Sequence, residues 1–140
     1  MAISIIHGPN LNLLGEREVH IYGTLTLAAL NEELTSRFSK HDIRTFQSNH
    51  EGAIIDRLHE SRTWAKGVVI NGAALSHTSY AIQDAIKAIK IPCVEVHLSN
   101  VYTREPFRHN SLLAAACVGQ ISGLGKHSYL LAVEYLLSLG

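Results

Sequence analysis

Ile3-Ser4-Ile5-Ile6-His7-Gly8-Pro9-Asn10-Leu11-Asn12-Leu13-Leu14-Gly15-Glu16-Arg17-Glu18 runs from a short apolar stretch straight into a polar loop. The apolar part is too short for a stable helix and is followed by turn-forming Gly, Pro and Asn. It therefore reads as a strand that delivers a loop at its carboxyl end. The loop and the Tyr22-Gly23 that follows it carry amide, guanidinium and phenol groups. Arg17 lies close enough in sequence to Tyr22 to favour the phenolate, the form able to take a proton. Taken singly, Gly8-Pro9-Asn10 is equally ordinary turn chemistry and Tyr22 an ordinary half-buried aromatic.

The same change from apolar run to polar segment recurs along the chain. Residues 3–6, 43–46, 67–70, 93–96 and 114–121 read as five strands. Between them Leu27, Leu30, Leu34 and Phe38 recur at helical spacing, as do Ile54, Ile55 and Leu58, then Ala81, Ile82, Ala85, Ile86 and Ile89. Thr26 and Ser79 suit helix N-caps, and a last helix from Lys126 presents Tyr129, Leu130, Val133, Leu136 and Leu137. Strands alternating with helices over short connections give a parallel sheet covered on both faces. The expected fold is α/β: a flavodoxin-like, doubly wound three-layer sandwich with a five-stranded parallel sheet. In such sheets ligands bind beyond the carboxyl ends of the strands, where the polar segments of this chain fall.

The 140 residues, 46% of them hydrophobic, suffice for one domain with a real core, and residues 1–140 are read as a single catalytic domain. Twelve basic side chains balance twelve acidic ones without a basic block, which gives no support to nucleic-acid or anionic-membrane binding. No apolar run approaches the roughly 20 residues of a membrane span, and residues 3–6 are too short for a signal-peptide core, so a cytoplasmic location is expected. Cys93 and Cys117 lack redox-pair or zinc spacing and read as reduced core residues. Nine histidines occur without a metal-binding pattern, and His20, His41, His59, His109 and His127 read as surface residues. Neither a nucleophile elbow nor a Schiff-base lysine motif is present.

The remaining polar segments admit two readings each. Asn71-Gly72-Ala73-Ala74-Leu75-Ser76-His77-Thr78-Ser79 is an anion-binding loop or a plain helix cap. In Glu95-Val96-His97-Leu98-Ser99-Asn100 the carboxylate and imidazole share one side of a strand, so Glu95 either orients His97 as a general acid or forms a strand-end ion pair. Arg104 and Arg108, at helical spacing, share a face that meets hydroxyls or carboxylate, or lie on a solvated turn. Asp84 is an ordinary exposed position or a contact across a subunit boundary, and Gln47-Ser48-Asn49-His50-Glu51-Gly52 is assigned structural work first.

Taken together, Gly8 to Gly15 with Arg17-Glu18 and Tyr22-Gly23, Gln47 to Gly52, His77-Thr78-Ser79, Glu95 to Asn100 and Arg104-Glu105 resemble type II 3-dehydroquinate dehydratase over nearly the whole chain. The resemblance implies dehydration of 3-dehydroquinate to 3-dehydroshikimate in the shikimate route to aromatic amino acids or in quinate breakdown, with no cofactor and no metal. It implies Tyr22 as base, Arg17 as its cation, Asn10 at the enolate oxygen, and His97, oriented by Glu95, as acid. It further implies that Asn71, Ser99 and the amides of Leu98 and Ser99 hold the substrate carboxylate, with His77 and Arg108 at the ring hydroxyls. A mobile lid flanked by Gly15 and Gly23, and a homo-oligomer of trimers packed into a dodecamer (a tetramer of trimers) with Asp84 reaching a neighbouring site, belong to the same expectation.

Two departures from the family pattern stand out. Members often read Asn-Pro-Gly-Ala or Asn-Ala-Gly-Ala where this chain has Asn71-Gly72-Ala73-Ala74, which puts the geometry of that loop and substrate affinity in question. His7 stands where asparagine is common, with little expected consequence. The competing functions are a flavin carrier, suggested by the fold alone, and a non-catalytic binder of small hydroxy acids on the same fold. The first lacks a phosphate cradle after the first strand, and the presence of Tyr22, Arg17 and His97 argues against the second.

Overall fold

The computed structural model describes residues 1–16 and 18–140. Among them five strands, β1 (Ala2–His7), β2 (Asp42–Gln47), β3 (Gly67–Asn71), β4 (Cys93–His97) and β5 (Gly119–Ser122), form one parallel sheet in the order β2-β1-β3-β4-β5. The helices are α1 (Val19–Tyr22), α2 (Leu27–Arg37), α3 (Glu51–Ser61), α4 (Tyr80–Ile89) and α5 (His127–Ser138). This is the doubly wound, flavodoxin-like arrangement, in which the chain leaves β1 toward β2 on one side and resumes at β3 on the other.

Strand alternation explains the two covers. Ile3 and Ile5 of β1, with Val69, Val94 and Val96, face Leu30 and Leu34 of α2 and Tyr129, Val133 and Leu136 of α5. Ile6, Val68 and Ile70 point the other way, against Ile54 and Leu58 of α3 and Ile82, Ile86 and Ile89 of α4. Each fully buried Leu or Ile contributes about 1.5–3 kcal/mol, which outweighs the few tenths of propensity separating one helix sequence from another. Thr26 caps α2 by accepting from the Ala29 amide, and Ser79 caps α4 by accepting from the Ile82 amide. Among the described residues no helix is long and apolar enough to cross a membrane.

Two local expectations need correction. Residues 114–121 do not form one strand: Ala114–Ala116 is a 3-10 turn and only Gly119–Ser122 joins the sheet. An apolar run without alternation suits either state, and here the amides of Ala116 and Cys117 turn back onto Leu113 O. Arg104 and Arg108 do not lie on one helix either. Arg104 is extended after the 3-10 turn Val101–Thr103, and Arg108 sits in a second such turn, Pro106–His109. Pro106 biases its predecessor away from helical geometry and prevents a continuous helix. Both cysteines are free; Cys93 is buried, and burial pushes its thiol up to about 12, whereas Cys117 is only partly buried.

The loops after β1 and β3 meet at the point where the strand order reverses. Gly8 N donates to Asn71 O at 2.7 Å. A Cβ on Gly8 would come within 2.7 Å of the Gly72 backbone, and one on Gly72 within 2.6 Å of Ser76 Oγ, so both glycines are required by space.

Candidate active site

Asn71 and His97 are the last residues of β3 and β4, and the Asn10 loop follows β1. The sheet thus aims all three at one cavity of about 90 Å³. Asn10, Tyr22, Asn71, His77, His97, Leu98, Ser99 and Arg108 line it, as does Arg104. Glu95 lies behind His97 rather than in the lining. Asp84 is exposed on α4 and lines no part of this cavity, and Arg17 lies outside the described residues.

Glu95 and His97 meet as the strand alternation requires. His97 Nε2 donates to Glu95 Oε2 at 2.7 Å, and both side chains are buried. Glu95 has further partners. Ser111 Oγ lies 2.8 and 2.7 Å from its two carboxylate oxygens, and Gln120 Nε2, brought opposite by the β4–β5 register, donates at 3.0 Å. Burial alone would raise the Glu95 carboxyl, yet the bonds from His97, Ser111 and Gln120 together hold it below its usual range. An ionised, immobile carboxylate therefore faces the imidazole. His77 stacks on His97 with ring centroids 6.1 Å apart, and its Nδ1 donates to Asn110 O at 2.9 Å. Partial burial keeps His77 below the usual histidine range, the Asn110 bond opposing that effect.

Tyr22 is reached from the far side of the site. Arg104, whose side chain is 9% exposed, donates from one terminal nitrogen to Tyr22 Oη at 2.5 Å and from the other to Glu18 at 3.3 Å. Its guanidinium carbon also lies 5.1 Å from the centroid of the Tyr22 ring. A fixed cation on the phenol oxygen is what a phenolate base needs, and Arg104 is one that the chain brings to Tyr22. Sequence spacing gives no hint of this pair, because 82 residues separate the two. Ser111 and Gln120 likewise carry no local signal, since only the register of β5 and the turn before it bring them to Glu95.

The Asn10 loop is held by the segment that closes β2. Gln47 Nε2 donates to Gly8 O at 3.2 Å, and Asn49 Oδ1 accepts from the Asn10 amide at 2.9 Å. Glu51, the first residue of α3, accepts from Ser79 Oγ at 2.5 Å. These contacts are the structural work expected of residues 47–52. Asn10 itself sits at φ 70°, a left-handed conformation that asparagine tolerates. Gly15 and Gly23, at φ 90° and 75°, flank the segment that carries Tyr22.

The backbone of the Asn71 loop keeps a left-handed residue two places after Asn71. Gly72 is right-handed at φ −74°, a value any residue accepts, whereas Ala73 is left-handed at φ 50°. The backbone thus has the form that glycine at position 73 would suit, and alanine occupies it at a cost of about 1–2 kcal/mol. What holds Ala73 there is Asn71, whose Oδ1 accepts the Ala73 amide at 3.0 Å. His7 proves far from inconsequential: it is fully buried and hydrogen-bonded to Asn31 and Tyr129, and Tyr129 in turn meets Asn71.

Among the described residues no group of three or more His, Cys, Asp or Glu is placed to hold a metal ion. The polar cavity instead offers a phenol with a cation, a carboxylate-backed imidazole, and amides and guanidiniums, a set suited to moving protons on a hydroxylated carboxylic acid.

A family model described as Dehydroquinase class II matches residues 1–137. A 3-dehydroquinate dehydratase of Halothermothrix orenii is 48% identical over 139 residues, covering 98% of this chain and 94% of that protein. One from Roseiflexus castenholzii is 52% identical over 139 residues, covering 98% and 88%. The crystal structure of type II dehydroquinase from Butyrivibrio crossotus matches with a TM-score of 0.95 at 43% identity, covering 98% of this chain and 97% of that one. With the fold, the cavity and these matches in agreement, the chain belongs to the class II dehydroquinase family.

Proposed function

We infer that the chain is a 3-dehydroquinate dehydratase, a type II hydro-lyase that converts 3-dehydroquinate to 3-dehydroshikimate, and that the cavity at the carboxyl end of the sheet is where it acts. The observation that carries the assignment of the site is that Tyr22, met by Arg104, and His97, backed by Glu95, line the same cavity. The non-catalytic alternative is not favoured.

The substrate has a proton on C2, beside the C3 ketone, and a hydroxyl on C1 that departs. The Tyr22 phenolate takes the C2 proton and the electron pair moves onto the ketone oxygen as an enolate. Arg104 and Arg17 compensate the charge at Tyr22, and Asn10 orients a donor toward the enolate oxygen. The enolate then returns its electrons, the C1–O bond breaks with its pair on oxygen, and His97 supplies the proton that makes the leaving group water. Since Nε2–H is committed to Glu95, the proton delivered comes from Nδ1. Asn71, Ser99 and the backbone amides of Leu98 and Ser99 hold the substrate carboxylate, while His77 and Arg108 meet the ring hydroxyls.

The segment that carries Tyr22, flanked by Gly15 and Gly23, acts as a lid that brings the phenol over the bound substrate. Residues 1–140 work as one catalytic domain within a dodecamer made of four trimers, in which Asp84, exposed on α4, completes a neighbouring site. The enzyme acts in the cytoplasm, in the shikimate route or in quinate breakdown, and needs neither metal nor cofactor.

The test is the ultraviolet absorbance of the conjugated enone acid when purified protein meets 3-dehydroquinate. Wild type produces it, and Tyr22→Phe, which keeps the ring and loses the base, lowers kcat by roughly 10²–10⁴-fold while binding persists. Unchanged turnover in Tyr22→Phe would exclude Tyr22 as base.

A further inference from the structure

Behind the cavity wall, on the α2 and α5 side of the sheet, four polar side chains sit in series. His7 Nε2 lies 2.8 Å from Asn31 Oδ1, which only accepts, so that nitrogen carries the ring proton. In the neutral ring Nδ1 is then an acceptor, and Tyr129 Oη, 3.0 Å away, donates to it. The Tyr129 oxygen in turn accepts from Asn71 Nδ2 at 3.0 Å, and Asn71 Oδ1 accepts from the Ala73 amide at 3.0 Å. Each member has one assigned direction. His7 and Tyr129 are completely buried and Asn71 is 3% exposed. Burial of His7 lowers its ring to about 4, against the Asn31 bond, which keeps the ring neutral at ordinary pH.

The series ends on a residue that has reason to move. Ala73 is held at a positive φ that alanine disfavours, and the bond from its amide to Asn71 Oδ1 restrains it locally. Rotation of the Asn71 amide would release that restraint and simultaneously remove the donor to the buried Tyr129 oxygen. With Oδ1 engaged and one Nδ2 proton on Tyr129, the second Nδ2 proton is the group left to bind substrate.

We propose that His7 and Tyr129 are positioning residues for Asn71, a buried one-way hydrogen-bond series from Asn31 to the Ala73 amide fixing the amide that meets the substrate carboxylate. The substrate part rests on the functional reading above. The series acts on binding rather than on proton transfer, because neither ring reaches Tyr22 or His97 through a hydrogen bond in it.

The experiment compares wild type with Tyr129→Phe, His7→Leu and His7→Gln in the assembled, full-length protein. Loss of the Tyr129 bond at Asn71 in Tyr129→Phe, or of the acceptor that orients the Tyr129 hydroxyl in His7→Leu, raises KM for 3-dehydroquinate by roughly tenfold, with kcat held within about twofold. His7→Gln retains a donor for Asn31 and an acceptor for Tyr129, and restores KM to within about threefold of wild type. A merely structural role would lower the melting temperature while leaving KM unchanged. Should His7→Leu not fold, Tyr129→Phe and His7→Gln carry the comparison. Amide hydrogen exchange at Ala73 supplies a readout independent of activity and is at least about tenfold faster in Tyr129→Phe than in wild type. Unchanged KM in a folded Tyr129→Phe enzyme, or a fall in kcat matching the rise in KM, overturns the proposal. So does unchanged Ala73 exchange, which decides against it even if wild type fails to turn over 3-dehydroquinate, the separate result that would remove the functional reading.

Discussion

Acid sensitivity is the sharpest consequence of placing a histidine in the core. His7 titrates near 6.5 in the unfolded chain and near 4 in the fold, because burial opposes its charge. Between those values the unfolded chain binds a proton that the native protein does not, so stability falls as the pH falls. The contribution is complete above about pH 6.5, is lost progressively down to about pH 4, and changes no further below that. The gap, at about 1.36 kcal/mol per pH unit, amounts to about 3 kcal/mol, a large share of the 5–15 kcal/mol typical of a native domain. Protonation also removes the only acceptor Tyr129 has for its hydroxyl in the series, which puts the loss where Asn71 is anchored. Urea unfolding at several pH values from 7.5 to 4.2, at one fixed protein concentration because assembly shifts the apparent midpoint, measures it. His7→Gln serves as the reference, since it keeps the hydrogen bonds without the titration. Wild type should lose about 3 kcal/mol more than His7→Gln across that range. Carboxylates such as Glu95, held low in the fold, also lose stability in acid, but they do so equally in both proteins. Parallel curves for the two proteins would refute the argument.

Ala73→Gly should relieve the left-handed strain and stabilise the protein by about 1 kcal/mol, raising the melting temperature by a few degrees with KM unchanged. A lower melting temperature would mean that the Ala73 methyl, which packs on the core, matters more than the strain. Ser111→Ala removes a hydroxyl that donates to the buried Glu95 carboxylate and should raise that carboxyl toward its ordinary range. In a kcat profile this appears as an acid limb moved to higher pH and a fall of roughly tenfold at neutral pH, and an unmoved limb would show that Gln120 and His97 alone suffice.

Much of the architecture was legible because burial on both faces of a parallel sheet leaves short apolar runs, and each run ends where a functional loop starts. Asn71 and His97 could be placed at strand ends for that reason, and Glu95 beside His97 by the two-residue period. What could not be read came from contacts between distant segments. Arg104, extended between the turns Val101–Thr103 and Pro106–His109, meets a tyrosine 82 residues away, and the helical spacing of Arg104 and Arg108 pointed to a different geometry. Residues 114–121 failed as one strand because the apolar residues 114–118 carry no period to distinguish a turn from an extended segment. His7 was undervalued because a substitution at the end of β1 looks local, whereas its partners lie on α2 and α5.

The contact of Gly8 with Gly72 bears on how this site can be altered. Since the backbone of the Asn71 loop occupies the space a side chain at Gly8 would need, and the Gly8 amide donates to Asn71 O, the Asn10 loop and the Asn71 loop form a single module. A graft that exchanges one with a relative's sequence inherits the shape of the other. Redesign of the pocket for a different hydroxy acid therefore has to transplant residues from both loops together, or leave both alone and work from the side of Ser99 and Arg108.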